Sequence, residues 1–77
     1  MSYYKSNENH VYKRLNSGYV LHVNYSNALV NILSPAMWDD VIDPHGPGYA
    51  GLTQITKEQF EQKAKATLAV INNSLKE

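Results

Sequence analysis

The middle of the chain holds four side chains that could bind a divalent metal ion or a basic partner. They are Asp39, Asp40, Asp43 and His45. Carboxylate oxygens and imidazole nitrogens are ligands for such ions, but their spacing matches no calcium-binding loop, and the other two histidines lie far away in the sequence. We therefore predict no metal ion and no cofactor. Asp43 is instead expected to cap a turn before Pro44, with Asp39 and Asp40 in solvent.

Catalysis by paired carboxylates or by an activated serine is not indicated either. Asp39 and Asp40 are neighbours, and in a helix their side chains would point about 100° apart, which makes them poor partners across a cleft. No serine lies in a nucleophile-elbow sequence, and there is no cysteine. The glycines around Pro47 are not followed by the lysine and serine or threonine of a phosphate-binding loop. We predict that the protein is not an enzyme.

Aromatic and basic residues alternate near the start of the chain, in the pattern of some sheets that bind single-stranded nucleic acid. Tyr12 could stack on a base, and Lys13 and Arg14 could contact phosphates. However, seven basic and seven acidic residues give a net charge of zero, so no long-range field attracts a polyanion. Tyrosine is also common in ordinary strands. Binding of single-stranded nucleic acid is therefore the alternative to a protein partner.

A protein partner is the leading expectation. Trp38 and Tyr49 flank a segment rich in glycine and proline, and large aromatic rings dominate the energetics of protein interfaces. We expect Trp38 in the core, because a small domain needs its one indole inside, and Tyr49 at the surface. The predicted function is an interaction module, such as an inhibitor or adaptor, that binds through the loop from residue 39 to residue 51 or through an exposed strand edge. The predicted contacts are Asp39, Asp40, Asp43, His45 and Tyr49.

The first half of the chain has the pattern of an antiparallel β-meander. Short strand-forming runs alternate with turn residues, and the runs are Tyr3–Ser6, His10–Leu15 and Tyr19–Tyr25. Gly18 is expected to take a positive φ in the second turn. In the third run, every second residue from Tyr19 to Tyr25 is apolar or aromatic, so this set is predicted to face the core, with Val20 and His22 on the other face.

A fourth strand over residues 28–33 has apolar residues on both faces, which indicates either deep burial or an edge for self-association. Ser34 and Pro35 then predict the start of a short helix. Three of the four glycines and two of the three prolines lie in residues 43–51, which are predicted to form a loop.

The C-terminal segment is predicted to be an amphipathic helix over residues 56–76. Thr56 and Gln59 fit a capping box. Apolar residues then recur at three- and four-residue spacing, namely Phe60, Ala64, Leu68, Ile71 and Leu75. This stripe is expected to cover one face of the sheet.

The 77 residues therefore predict one α+β domain, with a three- to four-stranded antiparallel meander (3–33), a short helix and Gly/Pro-rich loop (34–55) and a C-terminal helix packed on one sheet face. So small a chain has limited stability, and a homodimer would supplement its core. No run is long and apolar enough to span a membrane. The lack of cysteine favours a reducing, cytoplasmic setting.

Overall fold

Five antiparallel strands and two helices make up the part of the chain that the computed structural model describes, residues 2–6, 8–46, 49 and 51–76. In chain order the elements are β1 Ser2–Lys5, β2 His10–Arg14, β3 Val20–Asn24, β4 Leu29–Leu33, α1 Pro35–Ile42, β5 Thr53–Ile55 and α2 Lys57–Lys76. The strand order in the sheet is β4-β3-β2-β1-β5. The predicted α+β class is confirmed, with a β-meander followed by a helix that packs on the sheet.

The meander forms because short connections join strands of four or five residues. The turn between β2 and β3 contains Gly18, whose φ of 91° confirms the predicted left-handed conformation. This turn fixes a register in which Tyr12 lies opposite His22 and Val11 lies opposite Val23. The turn between β3 and β4 contains a residue that was not expected there, Ala28, with a φ of 57°.

The fifth strand was not predicted. The segment 34–55 was expected to contain a short helix and a loop, yet Thr53–Ile55 pairs with β1 in antiparallel register. The signal was present in the sequence as two β-branched residues, Thr53 and Ile55, on either side of Gln54. The pairing places β1 inside the sheet and leaves β4 and β5 as its two edges.

Each face of the sheet carries its own hydrophobic cluster. On one face, α2 buries Phe60 and Ala64 against Val11 and Val23. The prediction of a single core face on β3 was therefore incomplete. Leu21 and Val23 face the core as predicted. However, Tyr19, predicted to face it as well, is 47% exposed and precedes the strand, and Val20, assigned to the opposite face, is fully buried.

On the second face, α1 packs Trp38 against Tyr12 and Val20. Trp38 is only 3% exposed, which confirms its predicted place in the core. The N-cap of α1 is also confirmed, because the Ser34 hydroxyl accepts a hydrogen bond from the Met37 N–H at 3.3 Å.

The predicted capping box of α2 is confirmed in both directions. The Thr56 N–H donates to Gln59 Oε1 at 2.9 Å, and the Gln59 N–H donates to Thr56 Oγ1 at 3.1 Å. The apolar stripe of α2 is buried at its start and becomes exposed towards its end, since Phe60 is 3% exposed and Leu75 is 81% exposed. The expectation that all its large apolar residues cover the sheet was therefore too broad.

Candidate functional site

Two histidines from neighbouring strands form a hydrogen-bonded pair. The pair lies on the second sheet face, at the end that α1 does not cover. His10 Nδ1 and His22 Nε2 are 2.6 Å apart. The ring planes differ by only 7°, and the ring centroids are 4.9 Å apart. Because the nitrogens are much closer together than the centroids, the rings lie edge to edge in nearly one plane. One nitrogen must carry a hydrogen and the other must accept it.

The surroundings of the pair distinguish its two members. The ring of His22 lies against Tyr12 with centroids 4.9 Å apart, and its Nδ1 is 3.4 Å from the side-chain nitrogen of Asn31. His10 Nε2 is 3.8 Å from the carboxylate of Glu8. The negative charge of Glu8 therefore lies on the His10 side of the pair.

The protonation equilibria follow the same geometry. Partial burial, and then the positive charge that His10 can carry, lower the pKa of His22 below its ordinary value. Burial, and then the charge of Glu8, raise the pKa of the Tyr12 phenol. We conclude that His22 stays neutral and Tyr12 stays protonated near neutral pH.

The pair can share a proton or supply two nitrogen ligands to a metal ion. A stable site for a transition metal needs further protein ligands. Within the described ranges, no group of three histidine, aspartate or glutamate side chains lies close enough together to hold an ion.

The sequence could have indicated this pair through the register of its hairpin. A turn centred on Ser17 sets Tyr12 opposite His22 and His10 opposite Asn24, which makes the two histidines diagonal neighbours on one face. His10 and His22 were considered only in relation to the distant acidic segment, so the contact between them was missed.

The residues predicted to bind a protein partner all lie on the surface. Asp39 and Asp40 are exposed on α1, and Asp43, His45 and Tyr49 are exposed in the segment that follows. Asp43 has the expected capping role, because its Oδ1 accepts a hydrogen bond from the His45 N–H at 2.9 Å. Of the predicted loop, Pro47, Gly48 and Ala50 lie outside the described residues.

The three residues named for nucleic acid do not share one surface. Tyr12 is only 5% exposed, and Trp38 packs on its ring with centroids 5.5 Å apart. Lys13 points to the opposite sheet face, where its Nζ lies 6.0 Å from the centre of the Tyr3 ring. Arg14 is exposed at the end of β2. The buried ring of Tyr12 offers no open face on which a base could stack.

The outer edge of β4 is the second candidate site. β4 carries exposed apolar side chains on both faces, because Leu29 is 47% exposed and Ile32 is 57% exposed. It has no lysine, proline or bulge of the kind that natural edge strands use against pairing with another chain. The opposite edge, β5, is only three residues long.

The ladder between β2 and β3 shows which backbone groups of β3 face which neighbour. The Leu15 N–H donates to the Tyr19 carbonyl at 2.8 Å, and the Tyr25 N–H donates to the Asn9 carbonyl at 3.0 Å. Bonded and non-bonded pairs alternate along an antiparallel ladder. The odd-numbered residues of β3 therefore face β2, and the even-numbered ones face β4.

The same alternation defines the free edge. Asn31 lies opposite His22, so its backbone groups bond to β3, as do those of Leu29 and Leu33. The N–H and C=O groups of Val30 and Ile32 must point the other way, out of the sheet. Four backbone hydrogen-bonding groups are thus available to an added strand.

Two open depressions on the surface lack the shape of a small-molecule pocket. One, of about 730 Å³, is lined by side chains of α2 alone, between Glu58 and Asn72. The other, of about 240 Å³, lies beside the turn between β2 and β3, next to Arg14. A wall made by one helix cannot surround a ligand, whereas small-molecule sites bury most of the ligand surface.

The comparisons with known proteins gave no match: no family model, no curated protein and no solved structure corresponds to this chain. Neither helix in the described part is long and apolar enough to cross a membrane.

Proposed function

We propose that this protein is a small protein-interaction module, acting as an inhibitor or adaptor, that binds its partner by strand addition along β4. The observation that carries the proposal is the free backbone of Val30 and Ile32, which lies at the exposed edge beside apolar side chains. An extended partner segment would continue the sheet by one strand.

The side chains of β4 give such an edge its selectivity. Leu29 is exposed on the sheet face that carries α1, and Ile32 is exposed on the face that carries α2. A strand docked on this edge would therefore be contacted on both of its faces. Main-chain hydrogen bonds supply affinity in this mode of recognition, and the alternating side chains supply specificity.

The acidic segment after β4 is a second contact region within this proposal. Asp39, Asp40 and Asp43 are exposed, and none of them forms an ion pair with another described residue. These carboxylates lie away from the β4 edge, because α1 crosses the sheet towards β1. Their charge would attract a basic partner over a longer range and accelerate association. His45 and Tyr49 would add contact area to the same region.

A matched set of single variants tests the proposal in affinity capture from the native cell extract. Ile32→Pro removes only an outward N–H, so the bonds to β3 survive, as proline on an edge strand allows. Ile32→Lys adds a charge to the same edge. Leu75→Lys makes the same kind of change at an exposed leucine on α2 and serves as the control.

We expect both Ile32 variants to lose the partners that the wild type and Leu75→Lys retain, by at least about tenfold in affinity once a partner is isolated. Changing the three aspartates to asparagine should lower the association rate and its dependence on salt. Full partner binding by both Ile32 variants would refute strand addition at β4.

A further inference from the structure

We propose that the β4 edge binds β4 of a second copy of this chain, in antiparallel register about a two-fold axis at Asn31, to form a continuous ten-stranded sheet. The inference rests on the proposed function, in that β4 must accept a strand, and it names that strand. Two copies of the five-stranded sheet joined edge to edge give the ten strands.

Strand β4 has nearly the same side-chain chemistry when its sequence is read in either direction. Its sequence is Leu29-Val30-Asn31-Ile32-Leu33, with asparagine at the centre, β-branched residues beside it and leucines at the ends. A two-fold axis at the central residue sets leucine against leucine and valine against isoleucine. Cross-strand pairs of this kind stabilise a sheet.

The backbone hydrogen-bonding groups of β4 support the same register. Only residues whose hydrogen-bonding groups point outward can form bonded pairs across the new junction, and these are Val30 and Ile32. Centring on Asn31 sets Val30 opposite Ile32 of the second copy, and Ile32 opposite its Val30. Both outward residues are thereby bonded. Centring on Ile32 instead would set Asn31 against Leu33, a polar residue against an apolar one.

The charge of β4 and the direction of α1 also permit self-pairing. β4 contains no charged residue, so bringing two copies together creates no like-charge repulsion along the strand. α1 leaves β4 in the direction of the other strands, since Trp38 packs on Tyr12 of β2 and Tyr4 of β1. The edge is therefore open to a second copy.

The size of the junction sets the expected strength. Five residues pair on each side, and the area is extended only by the exposed leucine and isoleucine side chains. This is below the roughly 800 Å² per partner of a standard stable interface. We therefore expect reversible dimers with a dissociation constant in the micromolar range.

The register can be tested by disulfide formation, because the natural chain has no cysteine. In the proposed dimer the two Asn31 residues form a non-bonded pair with Cα atoms about 4.5 Å apart, within reach of a disulfide. Asn31→Cys should cross-link in a glutathione redox buffer. Leu29→Cys should not, because Leu29 lies four residues from its own counterpart. Leu75→Cys reports cross-linking by random collision.

Sedimentation of the 77-residue chain tests the dimer without any cysteine. We expect the wild type and Leu75→Lys to dimerise as the concentration rises, and Ile32→Lys to remain monomeric. Hydrogen exchange should show protection of the Val30 and Ile32 amides that grows with concentration. The amides of Leu29 and Asn31, already bonded to β3, should change little.

The failure of this inference can be told apart from the failure of the proposed function. A wild type that stays monomeric to about 1 mM overturns the self-pairing, as does a dimer in which Asn31→Cys cross-links no faster than Leu75→Cys. If the Ile32 variants still lose a foreign partner in that case, strand addition stands and its occupant is another protein. If they keep it, both proposals fail.

Discussion

At the scale of single residues, the positions of the histidine pair and of Ala28 in the fold affect the free energy of unfolding. His22 lies in a central strand between Tyr12 and His10, and it is neutral there because a charge would be poorly solvated. Ala28 is held in the left-handed region that favours glycine and asparagine. Neither feature follows from the residue type alone, since each depends on the strand register and the turn.

Stability should fall on acidification because of His22. Its pKa is lowered in the folded state, so below about pH 6.5 the unfolded chain binds a proton that the folded chain resists, and unfolding becomes easier. The loss begins at the ordinary histidine pKa and levels off below the folded one. We expect His22→Gln to flatten this slope between about pH 7.5 and 5 in urea titrations.

The control for this effect is His45→Gln, which removes an exposed histidine from the loop. It removes one histidine without touching the His10–His22 pair, so it separates the effect of the pair from that of histidine content. An unchanged slope in His22→Gln would show that His22 does not resist protonation in the fold.

Different substitutions of Ala28 should change the stability of the domain in opposite directions. Its φ of 57° costs an alanine about 1 kcal/mol, which glycine or asparagine avoids. Because glycine also gains entropy in the unfolded chain, we expect Ala28→Asn to stabilise the domain by about 0.5–1 kcal/mol and Ala28→Gly by less. Ala28→Val should cost more than about 1 kcal/mol. Thermal unfolding monitored by circular dichroism measures all three, and a stabilising valine would contradict the turn geometry.

At the scale of elements, the sequence predicted the caps and turns that residues close together in the chain determine. Thr56 with Gln59, Ser34 with Pro35, and Gly18 each specify a cap or turn within a few residues, and each was correct. β5 was missed because three residues carry too weak a pattern, and only pairing with β1 makes them a strand. The second core was missed because alternation along β3 does not reveal that α1 covers its other face. Similarly, the histidine pair required the register between two strands, which a list of residue types does not contain.

The capping box of α2 should contribute measurable stability. Thr56→Ala removes the hydroxyl that accepts the Gln59 N–H and should cost about 1 kcal/mol, whereas Thr56→Ser should cost little. For a domain of this size, the alanine variant should melt about 4–8 °C lower. An alanine variant as stable as the serine variant would show that solvent replaces the cap at no cost.

At the scale of the whole molecule, the sheet is the middle of three layers, and each outer helix closes a separate cluster. Phe60 anchors the cluster under α2, and Trp38 anchors the one under α1. A chain of this size has only a few kcal/mol of net stability, so neither cluster is dispensable.

Truncating either anchor should therefore unfold much of the population. Trp38→Ala and Phe60→Ala should each cost about 3–5 kcal/mol, the usual range for buried aromatic residues. Tyr49→Ala, at an exposed ring, should be nearly neutral. Urea denaturation followed by circular dichroism compares the three. A stable Trp38→Ala variant would show that the packing of α1 on the sheet contributes little to stability.

The pairing of β5 with β1 affects how the chain can fold during synthesis. The two partners lie far apart in the sequence, with β2, β3, β4 and α1 between them. During translation, β1 to β4 can assemble before β5 has been made. The edge position beside β1 is then still vacant, and α2 has not yet been made. Closing so long a loop is slow compared with forming the adjacent hairpins. The edge of β1 that faces β5 therefore stays unpaired until Thr53–Ile55 has been made, and in that interval it is as open to unwanted pairing as the edge of β4.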